Sequence, residues 1–426
     1  MGQGIAYTLT MTRYRQANGK RWSDSSPGVM FLINDLSIGG AERALVDLVN
    51  NSSRIRPVIG VLRPVLDLAP ELDPDIEIVC LAPATDGKLD RAWLEPTPVS
   101  GNGTPRGRSR GQMTLEMPGL VRASLELRRA TRATRCKVVS TFLNRAHIVA
   151  LTARLLFARD LRIVVNVHEL LSDHLELHFA PHERWLMKEF ITRAFPRADR
   201  ILTVANAVSL DLVEHFGLSE NLVTVAHNPV DLKRIADASR EDIEPGMMTG
   251  NTIVAVGRLV QLKGFDVLIR AVAQLPMSLD ARLLIVGEGV ERAALEHLIS
   301  ELGIGHRVTL LGARANPWPY MAHAKVLAVP SRTEAFPSVI GEAFSLSLPV
   351  VATRCSEGVA DYLDNGRCGL LVPPDDVDAL ASALERIFCD PALAQRLAAA
   401  GKERVEAFAM PLAVARYEEL LTEVAR

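Results

Sequence analysis

Nowhere in the 426 residues does an apolar run approach the roughly 18 that a membrane-crossing helix needs, so any membrane contact is expected to be peripheral. Residues 1–28 are polar and mildly basic, lack the apolar centre of a secretory signal, and read as a disordered tail. Cysteine is scarce. The five that occur (Cys80, Cys136, Cys355, Cys368 and Cys389) are odd in number, far apart and without a C-x-x-C, which argues against a disulfide framework or a zinc site and for a reducing, cytoplasmic setting. Charge of one sign is missing as well: 48 basic residues face 50 acidic ones, a net charge of -2. Nucleic acid is therefore not an expected partner, because affinity there rests on a positive field.

Several chemical motifs are also absent or incomplete. No G-x-x-x-x-G-K-[ST] occurs, so there is no P-loop. Gly287-Glu-Gly289 has Arg292 where a dinucleotide fingerprint needs its third glycine, which disfavours a nicotinamide enzyme. Asp73-Pro-Asp75 and Asp376-Val-Asp378 match D-x-D literally, but neither follows a strand with other ligands nearby, and both read as turn or helix-start residues. No metal site and no cofactor are expected.

What is present is a repeated alternation of buried strand and amphipathic helix. Apolar runs at 29–33, 57–62, 76–80, 137–141, 162–167 and 200–204 form one series, interrupted by a Gly-, Pro-, Ser- and Arg-rich stretch at 85–112 that reads as a long mobile loop. A second series runs through 252–256, 281–286, 308–311, 326–329 and 349–353, with helices at 264–273, 291–302, 337–345 and 376–388. The chain is too long for one ordinary core. The fold class is thus α/β, with two doubly wound, Rossmann-like domains facing across a cleft. The expected divisions are an N-terminal domain at 29–228, a C-terminal domain at 229–409, and a last helix at 410–426 packing back on the first domain. A hinge is placed near 226–250, where Pro229 and Pro245-Gly246 break the pattern.

Chemistry-bearing residues gather after strands of the second series. Arg258 and Lys263 follow the strand 252–256, beyond the sheet edge where open α/β folds bind ligands, and a guanidinium fork with a point-charge ammonium suits phosphate. Taken alone, they read equally well as a solvated basic loop. Glu334 and Glu342 lie on a Pro-marked loop entering a helix near Ser338; a continuous helix would put them about 12 Å apart at 1.5 Å per residue, comparable to the reach from a hexose through a diphosphate to a ribose. Backbone N–H groups at that helix start would point at the phosphates. Two glutamates at a helix start are also ordinary capping residues. In the first series, Gly39-Gly40 follows the first strand, where a loop without side chains lets a ligand approach, or simply makes a tight turn. His168 ends the strand 162–167 at the same sheet edge, as a structural histidine or a sugar contact.

Two basic stretches, 120–137 with Arg122, Arg128, Arg129 and Arg132, and 183–200 with Trp185, Phe190, Lys188 and Arg193, read as helices that either cover the core or lie on an anionic membrane surface.

Read together, G-R-x4-K-G, the later E-x7-E, Gly39-Gly40-Ala-Glu42 and Asn228-Pro-Val-Asp231 resemble the retaining glycosyltransferases of family 4, which have the GT-B fold. The likeness is specific from about 198 to the end, including Gly369-Leu-Leu-Val-Pro373, and thinner over 29–169. It implies that Arg258 and Lys263 bind the donor diphosphate, that Glu342 holds ribose hydroxyls, and that Glu334 holds the transferred sugar with backbone groups of Phe336, Pro337, Ser338 and Val339. It further assigns His168 to the donor sugar and Gly39 and Gly40 to the cleft near the phosphates. Where the family has Glu-Gly-Phe, this chain has Glu334-Ala335-Phe336. The activity the resemblance implies is retaining and metal-independent, the site's cations standing in for a metal: transfer of a hexose or N-acetylhexosamine from a UDP-sugar, or from GDP-mannose, to a glycan or lipid-linked acceptor. Peripheral contact with the inner membrane surface would follow. The alternatives are a non-catalytic nucleotide-sugar sensor and a phosphorolytic or epimerising relative of the same fold.

Overall fold

The computed structural model describes residues 12–15, 22, 26–37, 39–81, 84–85, 88–89, 117–244, 247–248 and 250–426. Two compact units result: one holds the described residues up to Thr203 with Asp211–Ala226 and Val414–Arg426, the other Val204–Leu210 and His227–Ala413.

The first unit is built on β1 (Thr12–Arg15), β2 (Gly28–Ile33), β3 (Arg56–Val61), β4 (Glu77–Cys80), β7 (Cys136–Phe142), β8 (Arg162–Val167), β9 (Arg200–Thr203) and β10 (Val223–Val225); β5 (Ala84–Thr85) and β6 (Lys88–Leu89) form a separate hairpin. The sheet order is β1-β4-β3-β2-β7-β8-β9-β10, parallel except for β1, which runs antiparallel to β4. Met30 pairs with Val58 on one side and Val139 on the other. Such a central strand is covered on both faces, which is why Val29 to Ile33 is a continuous apolar run, all of it buried.

The second unit carries β11 (Asn251–Val256), β12 (Ala281–Val286), β13 (Val308–Gly312), β14 (Val326–Val329), β15 (Val350–Thr353) and β16 (Leu370–Val372), all parallel in the order β13-β12-β11-β14-β15-β16. Helix Phe265–Gln274 follows β11 and buries Phe265, Leu268, Ile269 and Val272, the i, i+3, i+4, i+7 face of a helix laid on a sheet. Full burial of each such side chain contributes about 1.5–3 kcal/mol. In both sheets the strand order reverses direction once, between β2 and β7 and between β11 and β14, and each reversal opens a crevice beyond the carboxyl ends of the strands.

Three expectations are corrected, and a fourth falls mostly outside the described residues. Residues 12–15 pair with β4, and Trp22, 8% exposed, donates its indole N–H to the Ser52 carbonyl at 3.1 Å, so the stretch 1–28 is not wholly a disordered tail. One buried indole and a strand pairing outweigh polar composition there. Most of the loop expected at 85–112 lies outside the described residues, while Lys88–Leu89 pairs with Ala84–Thr85. The basic helix expected at 120–137 is Met117–Ala133: Arg135 takes φ +54° and turns the chain so that Lys137 belongs to β7. The helix expected at 183–200 is Pro181–Ala194, after which Pro196 sits in a 3-10 turn and Arg200 begins β9. That helix leaves Trp185 63% exposed. No helix among the described residues is long and apolar enough to cross a membrane.

The last helix, Met410–Ala425, joins the first unit from Val414 onward through two buried polar contacts. Tyr417 donates to Asn166 Oδ1 at 2.8 Å. Glu418, 2% exposed, accepts the backbone N–H groups of Ser53 and Arg54, each at 2.6 Å, and of Ile55 at 3.3 Å. A buried donor left without its partner costs about 1–3 kcal/mol. Glu418→Ala is therefore expected to destabilise the first unit by roughly 2–4 kcal/mol, with Glu418→Gln, which keeps one acceptor oxygen, in between. Urea unfolding of both variants measures this, and an unchanged midpoint in Glu418→Ala would show that solvent replaces the carboxylate at no cost.

Candidate functional site

In the second unit the site starts where the chain leaves β11. It passes Gly257 and Arg258, makes the 3-10 turn Gln261–Lys263, and closes that turn at Gly264 with φ +62°. Only glycine fits there, because a Cβ would fall 2.0 Å from the carbonyl oxygen of Pro330, the residue after β14. The exits of β11 and β14 thus touch across the strand-order reversal. Gly287 and Gly289, after β12, have a related use: a Cβ on them would lie 1.8 Å from the Gly257 oxygen and 2.3 Å from the Leu259 oxygen. The incomplete dinucleotide fingerprint makes room for the Arg258 loop.

Beyond β14 the chain runs Pro330-Ser-Arg-Thr-Glu334. Lys263 Nζ pairs with Glu334 Oε1, the two side chains 27% and 14% exposed. Ser331 donates to the same carboxylate oxygen at 2.9 Å, and Ser356 donates to the Glu334 backbone carbonyl at 2.5 Å. Gly358 lies so close that a Cβ on it would stand 1.9 Å from the Ala335 oxygen. Ala335 is not among the residues with positive φ, so alanine in the family's glycine position costs nothing in backbone strain. Burial pushes the neighbouring Cys355 thiol up to about 11, which removes it as a nucleophile.

Glu334 precedes the helix Ser338–Ser345 instead of lying within it, so the spacing computed for a continuous helix does not apply. The helix is capped by Pro337, which offers its first N–H groups no side-chain acceptor. Behind it, Phe336 stacks face to face on Tyr362 with centroids 3.8 Å apart, His227 stacks on Phe336 at 5.2 Å, and Phe408 meets Phe336 edge-on at 5.4 Å. This aromatic block gives the loop a rigid back. Glu342, on the same helix, accepts from Trp318 Nε1 at 2.9 Å, while Arg234 stands 5.6 Å over the Trp318 ring. Arg258 is exposed and enters no ion pair among the described residues.

A second arginine holds the turn. Arg332 donates its backbone N–H to Leu262 at 2.8 Å, forks onto the two Asp266 oxygens at 3.0 and 2.8 Å, and reaches Asp375 through Nε at 2.7 Å. Burial alone would raise the Asp266 carboxyl, but the hydrogen bond and charge of Arg332 hold it below its ordinary value.

The first unit supplies the remaining predicted residues. Gly39 begins the helix Gly40–Asn51 after β2, beside the reversal of its own sheet, with no side-chain cap. A Cβ on Gly40 would meet nothing within 4 Å, so packing does not require glycine there. His168 follows β8, its ring 5.1 Å from that of Phe142, with both ring nitrogens buried and without a hydrogen-bond partner among the described residues. Burial pushes its pKa down to about 4, leaving a neutral imidazole with one donor and one acceptor unspent. The two D-x-D matches are local: Asp73 accepts from Asp75 N at 2.9 Å, and Asp376 caps a helix through Ala379 N at 2.8 Å.

The structure therefore joins Lys263 to Glu334, sets Phe336, Pro337, Ser338 and Val339 beside them and Glu342 on the following helix, and puts Gly39, Gly40 and His168 at the edge of the other unit's sheet. Sequence reasoning missed Ser331, Arg332, Ser356, Trp318 and Tyr362. Ser331 lies in the run that leads into Glu334, three positions from the carboxylate it bonds, and could have been found there; the others carry no local signal.

The fold, two sheets each with one strand-order reversal, is shared with solved glycosyltransferases. The Anabaena protein HepE, solved in complex with UDP-glucose, shares the fold at TM-score 0.73 and 20% identity, over 93% of this chain and 99% of that one. Residues 58–234 match the model of Glycosyltransferase Family 4, and residues 240–404 that of Glycosyl transferases group 1. A Campylobacter jejuni N-acetylgalactosamine-N,N'-diacetylbacillosaminyl-diphospho-undecaprenol 4-alpha-N-acetylgalactosaminyltransferase is 33% identical over 63% of this chain and 71% of its own length. The lipopolysaccharide core biosynthesis glycosyltransferase LpsE of Rhizobium meliloti is 38% identical over 35% of this chain, which spans 43% of that relative. The chain belongs to glycosyltransferase family 4.

The buried neutral His168 makes a pH prediction. Its folded pKa, about 4, lies below the ordinary 6.5, so the unfolded chain binds the extra proton between those values and stability falls as pH drops through that window. His168→Gln is expected to flatten this slope, as read by urea midpoints at several pH values; an equal slope in both proteins would mean that His168 titrates normally.

Proposed function

We propose that the protein is a retaining glycosyltransferase that moves a hexose or N-acetylhexosamine from a nucleotide diphosphate sugar to a glycan or lipid-linked acceptor. A UDP-sugar is the favoured donor and GDP-mannose the alternative. The observation that carries this reading is the meeting of Lys263, Glu334 and the uncapped start of helix Ser338–Ser345 at the strand-order reversal of the second unit. A diphosphate needs cations and backbone N–H groups, and a sugar needs a carboxylate that accepts from its hydroxyls. The Campylobacter relative's name gives it a diphospho-undecaprenol-linked acceptor, which favours a lipid-linked acceptor here. The exposed Trp185 on a basic helix suits approach to an anionic membrane surface.

In the proposed reaction the acceptor hydroxyl oxygen bonds to the anomeric carbon on the face from which the diphosphate oxygen departs. The acceptor proton passes to that departing oxygen, so configuration is kept without a protein nucleophile. Arg258, Lys263 and the helix start stabilise the charge that builds on the diphosphate, and Glu334 holds the sugar as its ring becomes oxocarbenium-like.

Transfer assayed over a panel of nucleotide sugars, with a lipid-diphosphate-linked saccharide in anionic vesicles and a water-soluble glycan as acceptors, tests the proposal; no transfer and no donor hydrolysis on any pair would refute it. Because Arg258 and Lys263 supply the positive charge, transfer is expected to persist in excess chelator. Loss of rate that a divalent ion restores would show a metal requirement.

The two glutamates should separate kinetically. Hydrogen bonds to a charged group are worth about 1.5–3 kcal/mol, or roughly 10- to 150-fold. Glu342→Ala removes a ribose contact made equally in ground and transition states, so donor KM rises with kcat nearly intact. Glu334→Gln depresses kcat, and because it also releases Lys263, donor KM should not rise. A collapse of kcat in Glu342→Ala beside a near-normal Glu334→Gln would reverse the assignment.

A further inference from the structure

Lys263 is a flexible four-carbon stem on a three-residue 3-10 turn. Such a turn is too short to hold itself: its own backbone bonds are Lys263 N to Val260 O at 3.0 Å and Gly264 N to Gln261 O at 3.2 Å. Its placement must come from outside. Arg332 supplies it on both sides of the lysine. Before Lys263, the Arg332 backbone N–H and guanidinium bond the carbonyls of Leu262 and Gln261, at 2.8 and 2.5 Å. After it, the same guanidinium grips both oxygens of Asp266. Asp375 holds Nε from a third direction, which leaves the planar fork one orientation. Arg332 is also two residues from Glu334, on the same strand exit, so a single residue sets where the cation stands relative to the carboxylate.

We propose that Arg332 is a positioning residue for the donor diphosphate, clamping the Gln261–Lys263 turn so that the lysine ammonium meets both Glu334 and the phosphate farther from the nucleoside. This rests on the reading of the site as a nucleotide-sugar site and adds a residue to it. A lysine at the position would keep the charge but could not fork onto Asp266 while reaching Gln261. The effect should therefore appear in diphosphate recognition and be transmitted only through Lys263.

Calorimetric titration of UDP and UMP into the full chain tests this, with wild type, Arg332→Lys, Lys263→Ala and the double variant. If GDP binds in place of UDP, GDP and GMP serve instead. Arg332→Lys is expected to weaken the diphosphate about tenfold and the monophosphate less than twofold, and to have no further effect once Lys263 is alanine, since residues acting through one another are non-additive. Additive losses, or equal losses for mono- and diphosphate, would reduce Arg332 to a structural residue and overturn the proposal. Should Arg332→Lys not fold, Asp375→Gly, which frees Nε, suits the φ of +59° at that position and spares the fork, is expected to show the same pattern at smaller size, and additivity there overturns it equally. A wild type that binds neither UDP nor GDP overturns the reading of the site, and the inference with it; binding with additive losses overturns the inference alone.

Discussion

A parallel sheet cannot be closed by hairpins, so each strand must return by a crossover, and reversing the order of strands once sends successive crossovers to opposite faces. That constraint governs both units. In the second it separates the exits of β11 and β14, adjacent in the sheet yet about seventy residues apart in the chain by element order, and leaves a notch between them. Everything chemical in this unit hangs on the notch. Gly264 is forced by contact with Pro330, Lys263 meets Glu334 across it, and the glycines after β12 are needed because the Arg258 loop is pressed against them.

The notch is polar in front and aromatic behind, and the two layers depend on each other. Glu334 is held by Lys263 and Ser331 at its carboxylate and by Ser356 at its backbone, so little of its freedom remains to be lost when a ligand binds. The following residue but one, Phe336, is fixed by Tyr362, His227 and Phe408. Tyr362 is itself constrained from the helix side, where a Cβ on Gly341 would come within 2.2 Å of its hydroxyl. Burial raises the Tyr362 phenol and keeps it neutral beside Glu342. A charged ligand-facing loop is thereby mounted on an uncharged, well-packed block.

The central strands were legible because burial on both faces makes them continuous apolar runs; β12 and β14 match the sequence ranges residue for residue. Of the edge strands, β13 was read at 308–311, but β1, β10 and β16 were not. Val223–Val225 is half-buried throughout and only three residues long, too little for a period to show. The helix over residues 183–200 was overextended because its basic-aromatic composition continues past Pro196, where the backbone cannot. Within the site, Arg258, Lys263, Glu334 and Glu342 were readable as residue types after apolar strands. Arg332 was not, since its partners Asp266 and Asp375 lie 66 and 43 positions away and no local pattern announces them. Trp318, 24 positions from Glu342, was invisible for the same reason.

The Lys263–Glu334 pair bears on which anions the empty protein attracts. An ammonium already in contact with a carboxylate offers a weak field to a small ion arriving from solution, because the neighbouring negative charge offsets much of its own. A larger ligand is favoured differently. One that binds elsewhere on the same loop delivers its phosphate to the ammonium at high effective concentration, while Glu334 stays in place beside it. The carboxylate neighbour thus sets the field at Lys263 as much as the ammonium's own charge does, and a small free ion feels less of it than a phosphate delivered by a larger ligand.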